Sequence, residues 1–172
     1  MESVLTFPRT AYREDHEMLR ETVRRFLERE CKPRQAQWDK DGKVDRETWL
    51  KAGREGLLCT HLDPEWGGAG GDFGHSAVIV EEIARSGVSG LGFGLHSDVV
   101  APYIARLGTD EQKQRWLPKC ASGEVILAIA MSEPGAGSDL KAIRTTARRE
   151  GDEYVINGAK TFISNGLNCD LV

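Results

Sequence analysis

The hydrophobic pattern of the chain changes its period near Gly123. The first part carries an apolar stripe with the i, i+4, i+7, i+8 spacing of an amphipathic helix, formed by Leu19, Val23, Phe26 and Leu27. After Gly123, the sequence VILAIAM (125–131) is a short continuous apolar run, which is typical of a buried strand. The pattern therefore predicts a helical part followed by a β part.

Capping residues and glycines mark further helices in the first part. Asp45 can cap a short helix that ends near Gly56, and Thr109 forms a capping box with Gln112 before another helix. The glycines and the proline of DPEWGGAGGD predict a loop. Two more helices are predicted, one over about 73–85 that Gly87 closes and one over about 89–107 that Pro102 disturbs.

Turn signals separate strand-like segments in the second part. The segment 143–150 predicts a strand that turns at Gly151-Asp152. The segment 153–164 predicts two strands joined by Asn157-Gly158, because Asn-Gly is the strongest short hairpin signal.

These patterns assign the chain to the α+β class. We predict an all-α helical N-terminal domain (1–123), followed by the first antiparallel strands of a β domain (124–172). The sequence ends in the apolar segment GLNCDLV, and a few strands with an unpaired edge form a poor domain. We therefore expect the chain to be a fragment of a longer protein.

Charge and composition exclude several classes of protein. The net charge is −4 and basic residues alternate with acidic ones, so no basic face for nucleic acid is visible. No apolar run approaches the roughly 20 residues of a membrane-spanning helix. The first residues, MESVLTFPRTAYRED, have neither the apolar core of a signal peptide nor the composition of a transit peptide. We expect a cytosolic protein, or a processed organellar one, without a nucleic-acid partner or a membrane span.

The cysteines and histidines are scattered along the chain. None lies at metal-ligand spacing from another, so the sequence predicts neither a metal site nor a disulfide framework. These residues are Cys31, Cys59, Cys120 and Cys169, and His16, His61, His75 and His96.

The loop AMSEPGAGSD (130–139) has the composition of a nucleotide-binding loop but not its context. A P-loop needs Gly-Lys followed by Ser or Thr, whereas Asp139 and Leu140 follow Ser138. A dinucleotide fingerprint needs a third glycine and a helix behind it, and neither follows here. Two interpretations remain open. The loop is a structural turn whose glycines take positive φ, or its backbone N–H groups bind a pyrophosphate or an aromatic ring with polar edges.

Two long segments, AMSEPGAGSDLKA (130–142) and YVINGAKTFISNG (154–166), resemble the acyl-CoA dehydrogenase family at both of its signature segments. The upstream sequence APYIARLGTDEQKQRWLPKCASGE is similar to the family's last N-terminal helices, so the resemblance covers nearly the whole chain. HSDVVAPYI and FISNG look most similar to the long-chain type. The resemblance implies a helical N-terminal domain, a middle β-barrel, which this chain would contain in truncated form, a C-terminal four-helix domain, and a homotetramer.

The resemblance also implies an activity. Members of the family are flavoenzymes with FAD that remove hydrogens from the α and β carbons of an acyl-CoA thioester. A carboxylate base takes the α proton, and the β hydride goes to flavin N5. The resemblance places this base beyond Val172, so the chain alone is expected to be inactive and to hold FAD weakly. An electron-transferring flavoprotein is the expected acceptor. The expected location is the bacterial cytoplasm or the mitochondrial matrix.

The resemblance assigns roles to particular residues of the two motifs. Ser138 is expected by the CoA portion of the substrate, and the segment Gly135–Gly137 keeps side chains away. Phe162 takes the place of a tryptophan against the flavin, and Ser164 that of a threonine near N5. The complete set expected at the cofactor is Ile129, Met131, Ser132, Gly137, Ser138, Phe162, Ile163 and Ser164.

Glu133 and the glycines of the segment 90–94 have interpretations of their own. Glu133 is expected to fix the loop by accepting backbone hydrogen bonds rather than to act as the base. Gly90, Gly92 and Gly94 either permit close packing of a helix or leave room for an acyl tail, and both interpretations stay open. Two alternatives to the dehydrogenase also stay open: an acyl-CoA oxidase-like relative, and a non-catalytic binding protein that reuses the helical domain.

Overall fold

A computed structural model describes residues 11–172. The predicted absence of a targeting sequence concerns a segment that lies mostly outside the described residues. The described part has six α-helices and two strands: α1 (Glu14–Phe26), α2 (Gln35–Asp41), α3 (Arg46–Arg54), α4 (Phe73–Ser86), α5 (Ala101–Leu107), α6 (Asp110–Ser122), β1 (Thr146–Glu150) and β2 (Glu153–Asn157). Short 3₁₀ turns occupy Lys32–Arg34, Pro64–Trp66 and Leu140–Ala142, and π-helical stretches occupy Leu27–Cys31 and Leu95–Val100. The α+β class is thereby confirmed.

The residues predicted to cap helices lie at helix ends in the structure. An Asp45 carboxylate oxygen accepts a hydrogen bond from the Thr48 N–H at 2.9 Å and caps α3. Thr109 and Gln112 form the predicted capping box of α6, with bonds of 2.9 and 3.3 Å. Gly87 has a φ of 76° at the end of α4, in the left-handed region that glycine adopts without strain.

One predicted helix begins later than its sequence suggests. The predicted span of 89–107 is wrong at its start, because Gly90 has a φ of +80° and helical structure begins only at Phe93. The disturbance predicted at Pro102 takes the form of the π-helical stretch Leu95–Val100 just before α5. Pro102 itself lies in the first turn of α5, which continues directly from this stretch.

The core of the helical part lies between α1, α3, α4 and the Phe93 region. Trp49, Phe26 and Phe93 are among its largest fully buried side chains, and the Trp49 and Phe93 rings meet edge to face at 4.8 Å. The predicted stripe residues Val23, Phe26 and Leu27 are buried in this core. Arg20 and Arg24 of α1 bond Glu82 of α4 at 2.7 and 2.6 Å, so a buried carboxylate is charge-compensated.

The segment 125–128 is buried but is not a strand. The strand predicted over 125–131 is wrong, because its only ladder contact among the described residues is a single parallel bridge between Leu127 and Leu171. Other groups satisfy its backbone: His96 Nδ1 accepts from the Leu127 N–H at 3.1 Å, and Asp170 accepts from the Ile126 N–H at 2.8 Å. Burial lowers the pKa of His96 to about 4, so this imidazole is neutral and can accept the bond.

β1 and β2 form an antiparallel hairpin. The register runs from Thr146 opposite Asn157 to Glu150 opposite Glu153, so the predicted turn at Gly151-Asp152 is confirmed. The second predicted turn, at Asn157-Gly158, is wrong because β2 ends at Asn157 and no strand follows it up to residue 164. Neither residue of this dipeptide has positive φ. Gly158 lacks a side chain for another reason: a Cβ there would lie 2.1 Å from Thr145 Oγ1.

None of the helices within residues 11–172 combines the length and the apolar character needed to cross a membrane.

Candidate functional site

The two motif segments lie side by side in space. The Thr161 N–H donates to the Ser132 carbonyl at 3.0 Å, and Lys160 Nζ donates to the Met131 carbonyl at 3.2 Å. These bonds join parts of the chain that the β1–β2 hairpin separates. We call the surface formed by Met131–Ser132 and Phe162–Ser164 the motif face.

Glu133 to Ala136 form a tight turn beside this face. The backbone bonds in both directions, Glu133 N to Ala136 O at 2.9 Å and Ala136 N to Glu133 O at 3.1 Å. The positive φ expected of the turn glycines is wrong, because neither Gly135 nor Gly137 adopts it. A Cβ on either glycine would meet nothing within 4 Å, so the space beside them is open.

The Glu133 carboxylate is engaged in bonds that stabilise the turn. It accepts from the backbone N–H groups of Arg144 and Thr145 at 2.7 and 3.0 Å, and it pairs with Lys160 at 2.8 Å. The Lys160 ammonium is the main cause that lowers the pKa of Glu133 to about 2. The predicted loop-fixing role of Glu133 is confirmed. The other motif carboxylate, Asp139, accepts from the Lys141 N–H at 3.1 Å.

Phe162 is the most unusual residue of the motif face. Its side chain is 93% exposed and its φ is +55°, a region that bulky residues rarely adopt. Such a backbone costs about 1–3 kcal/mol and persists where the surroundings impose it, often at functional sites. Met131 is also exposed, at 42%. Two large apolar side chains facing solvent at one place indicate a surface that binds an apolar or aromatic group.

The motif face also offers polar groups. The backbone N–H groups of Ser132 and Ser164 donate to no acceptor within the described part of the chain. Ser164 is exposed and Ser132 half-buried, so both residues can bond a ligand through backbone and hydroxyl groups. A flat ring with polar edges, such as a flavin, fits this combination of free donors and exposed apolar side chains.

The other residues predicted to contact the cofactor lie around the motif face, and no contact of theirs tests that prediction. Ile163 is half-buried, and Ile129 is half-buried against the core beside α6. Gly137 and Ser138 are exposed beyond the turn. The roles assigned to Ile129, Met131, Ser132, Gly137, Ser138, Phe162, Ile163 and Ser164 stay predictions.

Sequence reasoning missed Asn165 and Lys160. Asn165 has a φ of +64°, and its carboxamide bonds the Leu127 carbonyl at 3.0 Å. The signal was the dipeptide Asn165-Gly166, a second Asn-Gly pair in the same motif. Lys160 gave no comparable signal, because a lysine within a predicted strand is usually solvated.

The glycines of the 90–94 segment differ from one another. A Cβ on Gly92 would lie 2.1 Å from Asn165 Oδ1, which favours close packing there. Gly90 needs its left-handed backbone, whereas a Cβ on Gly94 would make only ordinary contacts. A cleft of about 360 Å³ opens between Gly90–Gly92 and Ile163–Asn168, so room for a ligand exists beside the close contact.

One cluster in the helical part has the composition of a metal site. Asp15, His16 and His75 offer ligand atoms within 4.8 Å of one another. His16 lacks a free lone pair, because Nδ1 accepts from the Arg13 N–H at 3.1 Å and Nε2 bonds Asp72 at 2.8 Å. The Arg13 guanidinium also pairs with both carboxylates. The cluster therefore joins the N-terminal ends of α1 and α4 by caps and ion pairs.

Two family models match the chain in order. The model for the acyl-CoA dehydrogenase N-terminal domain matches residues 13–124, and the model for the acyl-CoA dehydrogenase middle domain matches residues 128–172. The mitochondrial long-chain specific acyl-CoA dehydrogenase of Mus musculus is 48% identical over 164 residues, which are 95% of this chain and 38% of that protein. The chain therefore spans well under half the length of this relative.

Solved structures of similar proteins share the fold. An acyl-CoA dehydrogenase from Geobacillus kaustophilus matches with a TM-score of 0.90 and 53% identity, over 95% of this chain and 43% of that one. An acyl-CoA dehydrogenase from Bacillus anthracis, complexed with FAD, matches with a TM-score of 0.83 and 33% identity, over 96% of this chain and 29% of that one.

Proposed function

Because this chain belongs to the acyl-CoA dehydrogenase family, we propose that the protein containing it is an FAD-dependent enzyme that dehydrogenates acyl-CoA thioesters between the α and β carbons. The observation that supports this most is the match of both family domains in chain order. The FAD-bound relative from Bacillus anthracis supports the choice of cofactor. We place the boundary between the two domains at residues 123 and 124, just after α6 ends.

The motif face holds one side of the cofactor in this proposal. Bound FAD would supply the hydride acceptor. The exposed Phe162 ring and the Met131 side chain shield it from water, and the free N–H groups of Ser132 and Ser164 orient its polar edge. Ile129, Ile163 and Gly137 complete the flavin-binding surface, and Ser138 lies toward the CoA portion of the substrate.

The base that removes the α proton comes from outside these residues. Glu133 cannot serve, because an ionised carboxylate with a pKa near 2 and three donors is a poor proton acceptor. Asp139 accepts a local hydrogen bond from the Lys141 N–H. Family membership supports a base in a part of the protein that follows the middle domain.

Membership of the acyl-CoA dehydrogenase family also supports a proposal about the electron acceptor and the assembly. We propose an electron-transferring flavoprotein as the electron acceptor and a homotetramer as the assembly. The mitochondrial location of the mouse relative supports a matrix location in a eukaryote, and a bacterial protein would be cytoplasmic.

The proposed function is tested by steady-state turnover of the full-length protein. Acyl-CoA thioesters of increasing chain length are supplied with an artificial electron-accepting dye, and dye reduction is followed with and without oxygen. We expect dye reduction that depends on the thioester and on bound FAD. Oxygen consumption without dye would indicate the oxidase instead. A purified protein without flavin or turnover would favour the binding protein.

A further inference from the structure

Asn165 connects the motif face to two other segments. Its Nδ2 donates to the Leu127 carbonyl at 3.0 Å and faces the Gly92 carbonyl at 3.5 Å, the long limit of a hydrogen bond. Leu127 belongs to the buried segment 125–128, and Gly92 precedes the first turn of the helix at Phe93. One carboxamide therefore ties the second motif to the helical part and to the start of the first motif.

The contact with Gly92 is tight. A Cβ on Gly92 would lie 2.1 Å from Asn165 Oδ1 and 2.6 Å from Nδ2, far inside any normal approach. The two residues are therefore matched: glycine at 92 makes the space that the carboxamide fills.

Asn165 also ends the segment that contains the predicted flavin contacts. Its carbonyl accepts from the N–H groups of Asn168 and Cys169 at 3.0 and 2.8 Å, and Asn165 itself has positive φ, which asparagine tolerates. At the other end of the segment, Thr161 bonds Ser132. The strained Phe162 and the exposed Ser164 lie between these two anchors, and neither side chain has a polar partner among residues 11–172.

We propose that Asn165 is a positioning residue, whose carboxamide sets the place of Phe162 and Ser164 on the motif face. The inference rests on the proposed function, because it concerns how this face meets the flavin. Small displacements matter there: a misplacement of about 1 Å can lower a rate about a hundredfold.

The substitution Asn165→Asp removes the donors at constant size. A carboxylate would face the Leu127 and Gly92 carbonyls, and oxygen against oxygen is repulsive, so the segment must move. Asn168→Asp is the matched control. Its Nδ2 donates to the Val44 carbonyl at 3.0 Å, a bond of the same kind that lies outside the segment from Thr161 to Asn165.

The first measurement is single-turnover flavin reduction in the full-length holoenzyme. With saturating acyl-CoA, we expect Asn165→Asp to lower the rate constant by about tenfold or more. FAD content and the Kd of the thioester should stay within about twofold of wild type, and Asn168→Asp should leave the rate within about twofold as well. Equal losses in both variants, or a normal rate in Asn165→Asp, would overturn the proposal.

The second measurement tests the contact itself by thermal unfolding. Gly92→Ala should lower the Tm, because its Cβ enters the space of the Asn165 side chain. In the background of Asn165→Ala, where this side chain is absent, the same substitution should lower the Tm much less. Strictly additive shifts would show that the two residues do not meet, and the proposal would fall.

Failure of the proposed function has a different signature. If wild-type protein binds FAD but no thioester reduces it, the dehydrogenase function is wrong. The visible circular dichroism of the bound flavin then decides the inference: a change in Asn165→Asp and none in Asn168→Asp supports it, and unchanged spectra refute it. A wild-type protein that binds no flavin refutes both.

Discussion

At the scale of residues, the Glu133 carboxylate of the first motif binds backbone N–H groups and is not free to act as a base. Glu133 accepts hydrogen bonds from two backbone N–H groups just before β1 and pairs with the Lys160 ammonium after β2, and together these contacts hold the turn in place. A sequence can indicate such a role when a carboxylate sits in a turn whose neighbours lack other acceptors. It cannot identify Lys160 as the counter-ion, because that pairing exists only after the two motifs meet.

The role of Glu133 predicts a pH dependence of stability. Its pKa falls from an ordinary 4.5 to about 2 on folding, so the carboxylate stabilises the fold above about pH 4.5. This contribution is lost as the pH falls toward about 2. Glu133→Gln should therefore lower the free energy of unfolding at pH 7, and the difference from wild type should shrink between pH 4.5 and 2.

Urea unfolding of both proteins at several pH values measures this difference. Glu21→Gln is the control, since Glu21 is exposed and forms no ion pair in the described chain. A difference between wild type and Glu133→Gln that stays constant with pH would contradict the assignment.

At the scale of elements, helices were predicted well and strands poorly. A helix satisfies its backbone within itself, so periodicity and caps such as Asp45 or Thr109 suffice to predict it. A strand needs a neighbouring strand for its backbone hydrogen bonds. The segment 125–128 is as apolar as a strand, yet the side chains of His96 and Asp170 accept hydrogen bonds from two of its N–H groups. The Asn-Gly pair at 157–158 led to a wrong turn prediction. Glycine is needed at 158 because the Thr145 side chain lies too close for a Cβ, not because the chain turns there.

The contact between α3 and α6 provides a prediction at this scale. Gly53 lies inside α3, where alanine would normally stabilise a helix by about 1 kcal/mol. A Cβ there would lie 2.1 Å from the Ser122 carbonyl oxygen at the end of α6. Gly53→Ala should therefore destabilise the protein, by about 1–3 kcal/mol.

Chemical denaturation measures this change. Arg54→Ala, on the exposed side of the same helix, should stay within about 0.5 kcal/mol of wild type. A stabilised Gly53→Ala variant would mean that the two helices do not approach each other this closely.

At the scale of the whole molecule, hydrogen bonds and an ion pair at the start of α3 join the part of the chain after Gly123 to the helical part. Arg46 at the start of α3 pairs with Asp170 at 2.9 Å and bonds the Glu124 carbonyl at 2.6 Å, while Asp170 accepts from the Ile126 N–H. Together with Asn165, these bonds bring the motif face against the helical part. Sequence reasoning could place the motifs in the family but could not predict these bonds, because Arg46 and its partners lie more than 70 residues apart.

The proposed function requires that bound flavin accept hydrogen from a saturated acyl-CoA thioester. Its most direct test is anaerobic titration of the full-length holoenzyme, followed at the visible absorbance band of oxidised FAD. We expect bleaching by acyl-CoA thioesters in proportion to the amount added, with formation of the 2-enoyl-CoA. A flavin band that no thioester of any chain length bleaches would contradict it.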